Sequence, residues 1–300
     1  MAYRFSSTGK ATTEFRRILA QQNQKSVALL ADWERNPAVH IHRARQCFKK
    51  IRALLWLLKP RHEYVYQVEN RAYRDLAKRL AYARDSSAMV EATDRLTERI
   101  WEPGPRQSLL MLRKSLAGHA ERELAKAMAG MSGTVAAVRS ELPVLEARIQ
   151  DLPVTGLSSR QLRKGAKFTF ARARRDYRRL DLYSPPEAFH NWRKHLKYAF
   201  YQTGLMAEQM PRWSRRYRDP LSELAELLGD AQDLEVLDAL LDSQPDDLGI
   251  DINWRRLRRL VVGIQRDLQM QAIAMGRQLF AGTPSAGAPV LPLPTQMRSI

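Results

Sequence analysis

Two stretches of this chain set a histidine, an arginine and a lysine at helical spacing. They are His42 to Arg52, H-R-A-R-Q-C-F-K-K-I-R, and His190 to Tyr201, H-N-W-R-K-H-L-K-Y-A-F-Y. On a helix turning about 100° per residue, Arg45, Lys49 and Arg52 lie about −60°, −20° and −80° from His42, in one polar stripe. Ala44, Phe48, Ile51, Leu55 and Leu58 fall on the opposite face. In the second stretch His190, Arg193 and Lys197 form the stripe, and Tyr201 joins it at about +20°. Trp192, Leu196, Ala199 and Met206 make the apolar face. Such a row offers a cation every 4.5 to 6 Å or roughly so, a spacing that suits a polymeric phosphate. Arginine presents a planar fork to phosphate oxygens and lysine a point charge. His42 and His190 head the stripes and carry two readings. One is a phosphate hydrogen-bond donor that gains charge on protonation; the other is a structural histidine bonded to a neighbouring helix.

The two stretches are related. His42 and His190, Arg45 and Arg193, Lys49 and Lys197, and Asp85 and Asp233 are each 148 positions apart. Pro37 maps onto Pro185 ahead of its helix. A constant register over that span indicates an internal duplication of one helical unit. The copies are imperfect, since Lys50 becomes Tyr198 and Arg52 becomes Phe200.

At these residues the chain resembles the CHAD domains (conserved histidine α-helical domains). Their hallmark is a repeated His-x-x-Arg-x-x-x-Lys/Arg helix followed by an Arg/Gln-Asp turn. Here the turn matches Arg84-Asp85 and Gln232-Asp233. The resemblance covers residues 12–280. It implies an all-α fold of two pseudo-symmetric helical bundles, with a basic surface and a central cleft that bind inorganic polyphosphate. Asp85 and Asp233 could be catalytic carboxylates, helix caps, or partners that hold a stripe arginine; the last two readings are favoured.

The composition agrees with a helical polyanion binder. The chain has 300 residues, 44% of them hydrophobic, and a formal net charge of +18. Such a chain attracts nucleic acid, polyphosphate or an anionic membrane surface. The charge is segregated. Residues 158–218 hold 16 Lys and Arg against 4 Asp and Glu, whereas 219–251 hold 11 acidic residues and no Lys or Arg. A basic functional face with a neutralised flank is expected. Cys47 is the only cysteine, so no intramolecular disulfide forms. No apolar run is long enough to span a bilayer and the first residues lack a signal-peptide pattern, so a cytoplasmic protein is expected.

Breaks at Asn36-Pro37, Lys59-Pro60, Glu102-Pro103-Gly104-Pro105 and Ser184-Pro185-Pro186 divide the chain into helices. After a frayed arm over 1–11, those expected are 12–34, 37–58, 63–83, 85–99 and 106–128, then a connector over 130–156 with a helix at 134–150. The second copy opens at Ser158 with a basic helix to residue 182, then helices at 187–209, 212–228, 233–242 and 252–280. The expected units are 12–148, 158–280 and a disordered Pro-rich tail over 281–300.

The expected polyphosphate-binding set has three parts. His42, Arg45, Lys49, Lys50 and Arg52 belong to the first striped helix. Lys164, Lys167, Arg174, Arg175 and Arg178 belong to the helix that opens the second copy, and His190, Arg193, Lys194, Lys197 and Tyr201 to the second striped helix. His195 is expected on the buried side. No P-loop, dinucleotide fingerprint, nucleophile elbow or zinc signature is present, so neither a cofactor, a metal nor an enzymatic activity is expected. The partner expected is inorganic polyphosphate, with location on polyphosphate granules. The alternatives are a nucleic-acid binder of low specificity and, behind it, an enzyme acting on phosphate polymers.

Overall fold

The computed structural model describes residues 3–152, 154, 156–243 and 249–281, apart from the side chains of 82–88, 123–129 and 243. The 281–300 tail expected above thus lies almost wholly outside the described residues, and the Asp85 side chain lies outside them too. The regular structure described is helical throughout: α1 Ala11–Ala31, α2 Pro37–Trp56, α3 Glu63–Arg79, α4 Tyr82–Arg99, α5 Pro103–Gln150, α6 Ser159–Tyr177, α7 Pro186–Leu205, α8 Pro211–Ser243 and α9 Trp254–Phe280, with one 3-10 turn at Trp33–Arg35.

Local chemistry sets the starts that position the striped helices. Pro37 opens α2 and Pro186 opens α7, where a missing N–H removes no helical bond. The Asn36 side chain accepts from Val39 N–H. Ser158 begins α6 with a complete capping box to Gln161.

Three expectations are corrected. The connector over 130–156 does not exist as such, because α5 runs unbroken for 48 residues, about 72 Å, through Gly130, Gly133 and Pro143. Met131, Val135, Val138, Leu142, Leu145 and Ile149 recur every three or four residues and are all buried. That apolar stripe outweighs the roughly 1 kcal/mol lost at each glycine and the bond lost at Pro143. Likewise α8 is one helix rather than two, with Leu224, Leu228, Ala231, Leu234 and Leu237 buried along it. Residues 1–11, expected as a frayed arm, are tucked in where described. Phe5 is buried and its N–H donates to Leu205 O at 2.9 Å.

Three apolar clusters form the core. The first joins α1, α2, α3 and the C-terminal part of α5 to the ends of α6 and α7. Another joins α6 and α7 to the first part of α8 and the last part of α9. The remaining cluster is shared between the halves: it gathers Leu109, Leu112 and Leu116 of α5 with Leu257, Leu260 and Ile264 of α9, and Met89 of α4 with Leu237 of α8. Each of these pairs is 148 residues apart, as are the starts of α1 and α6 and of α3 and α8. Three of the contacts across the halves join counterpart helices: α2 packs on α7, α4 on α8 and α5 on α9.

The α2–α7 contact is the closest seam. Trp56 packs on Tyr198 with ring centres 4.9 Å apart and on His195 at 5.1 Å. The buried Gln202 side chain donates to Ala53 O at 2.9 Å. Beside it α6 crosses so near that a Cβ on Gly165 would overlap the Leu57 carbonyl oxygen and lie 2.9 Å from its Cα. Both obstacles are backbone, so no side chain can swing away. Gly165→Ala is expected to lower stability by about 3 kcal/mol, read from urea unfolding. A loss under 0.5 kcal/mol or so would show that α6 shifts without strain.

Four carboxylates of the acidic stretch brace the helices. Asp230 accepts from Arg95 at 3.2 Å and from Arg99 at 3.5 Å, and Asp233 accepts from Arg95 at 2.7 Å, tying α4 to α8. Arg258 of α9 is gripped by Asp238 at 2.9 Å and by Asp242.

Candidate functional site

The striped helices divide as their sequences require. Ala44, Phe48, Ile51, Leu55, Leu58, Trp192, Leu196, Ala199 and Met206 are all buried, each no more than 1% exposed. The polar stripes face away. His42, Arg45, Arg193, Lys197 and Tyr201 are half-buried, and Lys49 and His190 are exposed.

Each stripe arginine reaches a backbone carbonyl on the next long helix. Arg45 Nη1 donates to Ala77 O at 2.9 Å and Arg193 Nε to Ala225 O at 3.4 Å. The two carbonyls are again 148 residues apart. The halves make this contact possible in different ways. In the first half α3 ends, and the Ala81 N–H bonds to Lys78 O instead of Ala77 O. In the second half α8 continues, and Gly229 makes the room: a Cβ there would lie 2.7 Å from Arg193 Nη2. A carbonyl carries no formal charge, so these bonds fix a guanidinium's direction without cancelling its charge.

Gln232 completes the second stripe. Its Oε1 accepts from Arg193 Nη1 at 2.8 Å, and its Nε2 donates to His190 Nδ1 at 2.9 Å. This leaves the His190 ring proton on Nε2. On α2 the Gln46 side chain bonds to His42 Nε2 at 2.7 Å. Both motif histidines are thus oriented by a glutamine. Burial pushes the Lys197 amine down from the usual lysine value, with Arg193 acting in the same direction. The Tyr201 hydroxyl is pushed up by burial against the pull of Arg193. Arg193, Lys197 and Tyr201 therefore form one electrostatic group.

Other expected residues fall elsewhere. Arg52 Nε donates to Asn70 Oδ1 at 2.9 Å, beneath the Tyr198 ring. Lys194 donates to Asn191 Oδ1 at 2.8 Å. Its amine is pushed down by burial, opposed by Asp176 and reinforced by Arg52, Arg172 and Lys59. Arg52 and Lys194 thus belong to a second cluster on the α6 side of α7, whereas Arg193 reaches the α8 side. Lys50 lies over the Tyr3 ring at 5.4 Å. His195 is buried and bonded to Asp176, and burial holds its imidazole below the ordinary value. Asp233 sits inside α8 and binds Arg95, so it is no helix cap.

Lys164, Lys167, Arg174 and Arg175 of α6 and Arg178 at its C-cap are all exposed, and none makes an ion pair among the described residues. They extend along about 21 Å of helix. The one carboxylate of α6, Asp176, is turned inward to His195 and to Arg172 at 3.7 Å.

Sequence reasoning placed Gln232 in the turn motif without its bonds to Arg193 and His190, and it missed Gly229, Arg172 and Lys59. The 148-residue register gave no signal for Gly229, because its counterpart Ala81 falls inside the helix expected over 63–83, whereas α3 ends at Arg79. Among the described residues, no group of three His, Cys, Asp or Glu is placed to hold a metal ion. No described helix is long and apolar enough to cross a membrane.

The CHAD domain family model matches residues 16–242. In fold the chain is similar to the crystal structure of the CHAD domain from the plant Ricinus communis, with a TM-score of 0.65 and 17% identity over 94% of this chain and 96% of that one. It is also similar to PptA from Streptomyces chartreusis, with a TM-score of 0.62 and 16% identity over 91% of this chain and 100% of that one. No curated protein sequence matches it.

Proposed function

This chain belongs to the CHAD domain family, and from that premise we propose that it binds inorganic polyphosphate along the cationic faces of α2, α6 and α7. The observation that carries the reading is the α6 row, five exposed cations without ion pairs among the described residues, in a protein that neutralises Arg95, Arg99 and Arg258 with carboxylates. Unpaired cations in a row repel one another, and a flexible polyanion relieves that repulsion as it releases its own counterions. The stripes add oriented guanidinium groups, and the shared 148-residue register supports reading them as two copies of one element.

The reading is one of binding without catalysis, with association to polyphosphate granules as its cellular consequence. A polyphosphate pull-down across a salt series tests it, with DNA and RNA competing at equal phosphate concentration. Polyphosphate is expected to compete best. Stronger competition by DNA or RNA replaces this reading with a nucleic-acid one, and phosphate release in the presence of Mg²⁺ replaces it with an enzymatic one.

Gly229 gives a sharper check. In Gly229→Ala the added methyl group displaces Arg193 from Ala225 O while alanine favours the helix. Helicity is expected to be kept and polyphosphate affinity to fall about 3-fold to 10-fold, near 1 kcal/mol. Unaltered affinity in the folded variant would remove Arg193 from the binding surface.

A further inference from the structure

The family match ends at residue 242, and α9 lies wholly beyond it. Between the last turns of α8 and the first turns of α9 opens a cleft of ≈ 800 Å³. Four arginines line it, Arg255, Arg258, Arg259 and Arg266, with Asp238 the one carboxylate among the described residues of its wall. The cleft is separate from the stripes: Asp238 lies about 9 Å further along α8 than Gln232, the stripe's last ligand on that helix.

The four arginines are not equivalent. Arg258 is gripped by Asp238 and Asp242. Arg255, Arg259 and Arg266 are exposed and make no ion pair among the described residues. They fall within about 40° of one another around α9, roughly 6 and 10 Å apart along it. Three like charges on one face disfavour the helix that carries them unless an anion is present. Gly263 lies between Arg259 and Arg266, and a Cβ there would meet nothing within 4 Å. The other glycine of α9, Gly276, is required by packing, since a Cβ there would lie 2.8 Å from Tyr177. Gly263 has no such reason, and glycine weakens a helix interior. What it provides is an open floor between the arginines.

We propose that this cleft is a second anion site, for a short inorganic oligophosphate of about three linked phosphoryl groups. A single phosphate bridges Arg255 and Arg259, one turn apart, but does not extend to Arg266. A chain of three reaches all three forks. Among the described residues no aromatic side chain lines the cleft to stack on a base, and the inorganic ligand is favoured over a nucleotide.

The test is calorimetric titration of the full chain with tripolyphosphate at low salt. Arg255→Gln, Arg259→Gln and Arg266→Gln together are expected to weaken binding at least 10-fold. Leu257, Val261 and Leu268, which anchor α9, are untouched. Asp238→Asn removes the repelling carboxylate and is expected to tighten binding about 3-fold. The variant with Arg45, Lys49, Arg193 and Lys197 replaced by alanine is expected to keep its tripolyphosphate affinity, so failure here is distinct from failure of the stripe reading. The proposal is overturned if the native chain does not bind tripolyphosphate, if the α9 triple variant binds as well as the native chain, if the stripe variant loses as much, or if ATP binds more tightly than tripolyphosphate. Should the triple variant lose its helicity, Asp238→Asn decides alone, and unchanged or weaker affinity overturns the site.

Discussion

Replacing Arg45, Lys49, Arg193 and Lys197 together with alanine is expected to lower affinity for long-chain polyphosphate by roughly 100-fold to 1000-fold, with helicity nearly unchanged. At about 1 kcal/mol per cation, four lost phosphate contacts amount to about 4 kcal/mol, the upper end of that range. The lower end applies if the α6 row takes up part of the freed chain. The fold tolerates the change because the faces that hold α2 and α7 in place lie opposite, in Phe48, Ile51, Trp192 and Leu196. Truncating the arginines leaves Ala77 O and Ala225 O without one donor each, a loss of about 1 kcal/mol per bond that water can partly restore. Equilibrium binding and circular dichroism on the same sample settle the matter. Unfolding, or full affinity in a folded variant, rejects the stripes as the binding surface.

The second large effect is on ligand length. Orthophosphate meets only a few cations and bears the full entropic cost of association for a small return. A long chain already held by one stripe meets the next cation as an intramolecular event. Affinity is therefore expected to climb steeply with chain length and to level off once the continuous basic surface is covered. Orthophosphate and ATP should displace a long chain poorly at equal total phosphate. Salt should act more strongly on long chains than on short ones, since more counterions are released. A titration with polyphosphates of graded length at two salt concentrations measures both effects. ATP that displaces a long chain as effectively as polyphosphate does would rule out the extended surface.

The striped helices were legible because a helix advertises its buried face. Ala44, Phe48, Ile51, Leu55 and Leu58 recur at helical spacing, and all are buried. The helix count was less legible. Proline and glycine signal breaks locally, but Pro143, Gly130 and Gly229 are overridden by apolar stripes whose partners lie on distant helices. The wiring of the site was hidden for the same reason. Nothing at Arg193 announces Ala225 O, and nothing at Gln232 announces His190, because these bonds span 32 and 42 residues. Angular bookkeeping on one helix also placed Arg52 at the edge of the stripe. Its real environment is Asn70 of α3 and Tyr198 of α7, which no single-helix projection contains.

The cluster shared between the halves has a consequence for ancestry. Leu109 with Leu257, Leu112 with Leu260, Leu116 with Ile264 and Met89 with Leu237 are counterpart positions brought to one place. That is the pattern of a self-complementary two-fold interface, in which the same patch serves both partners. Read as a duplication, the chain has folded into one polypeptide what was once the contact between two identical molecules. A single ancestral copy would have left those leucines facing water and would have hidden them only by pairing with itself. On that reading, fusion would fix the partner at an effective concentration that dilution cannot lower and would free the copies to diverge. The halves do differ at one register position: Gly229 is needed beside Arg193, while its counterpart Ala81 lies past the end of α3 and is free of that requirement.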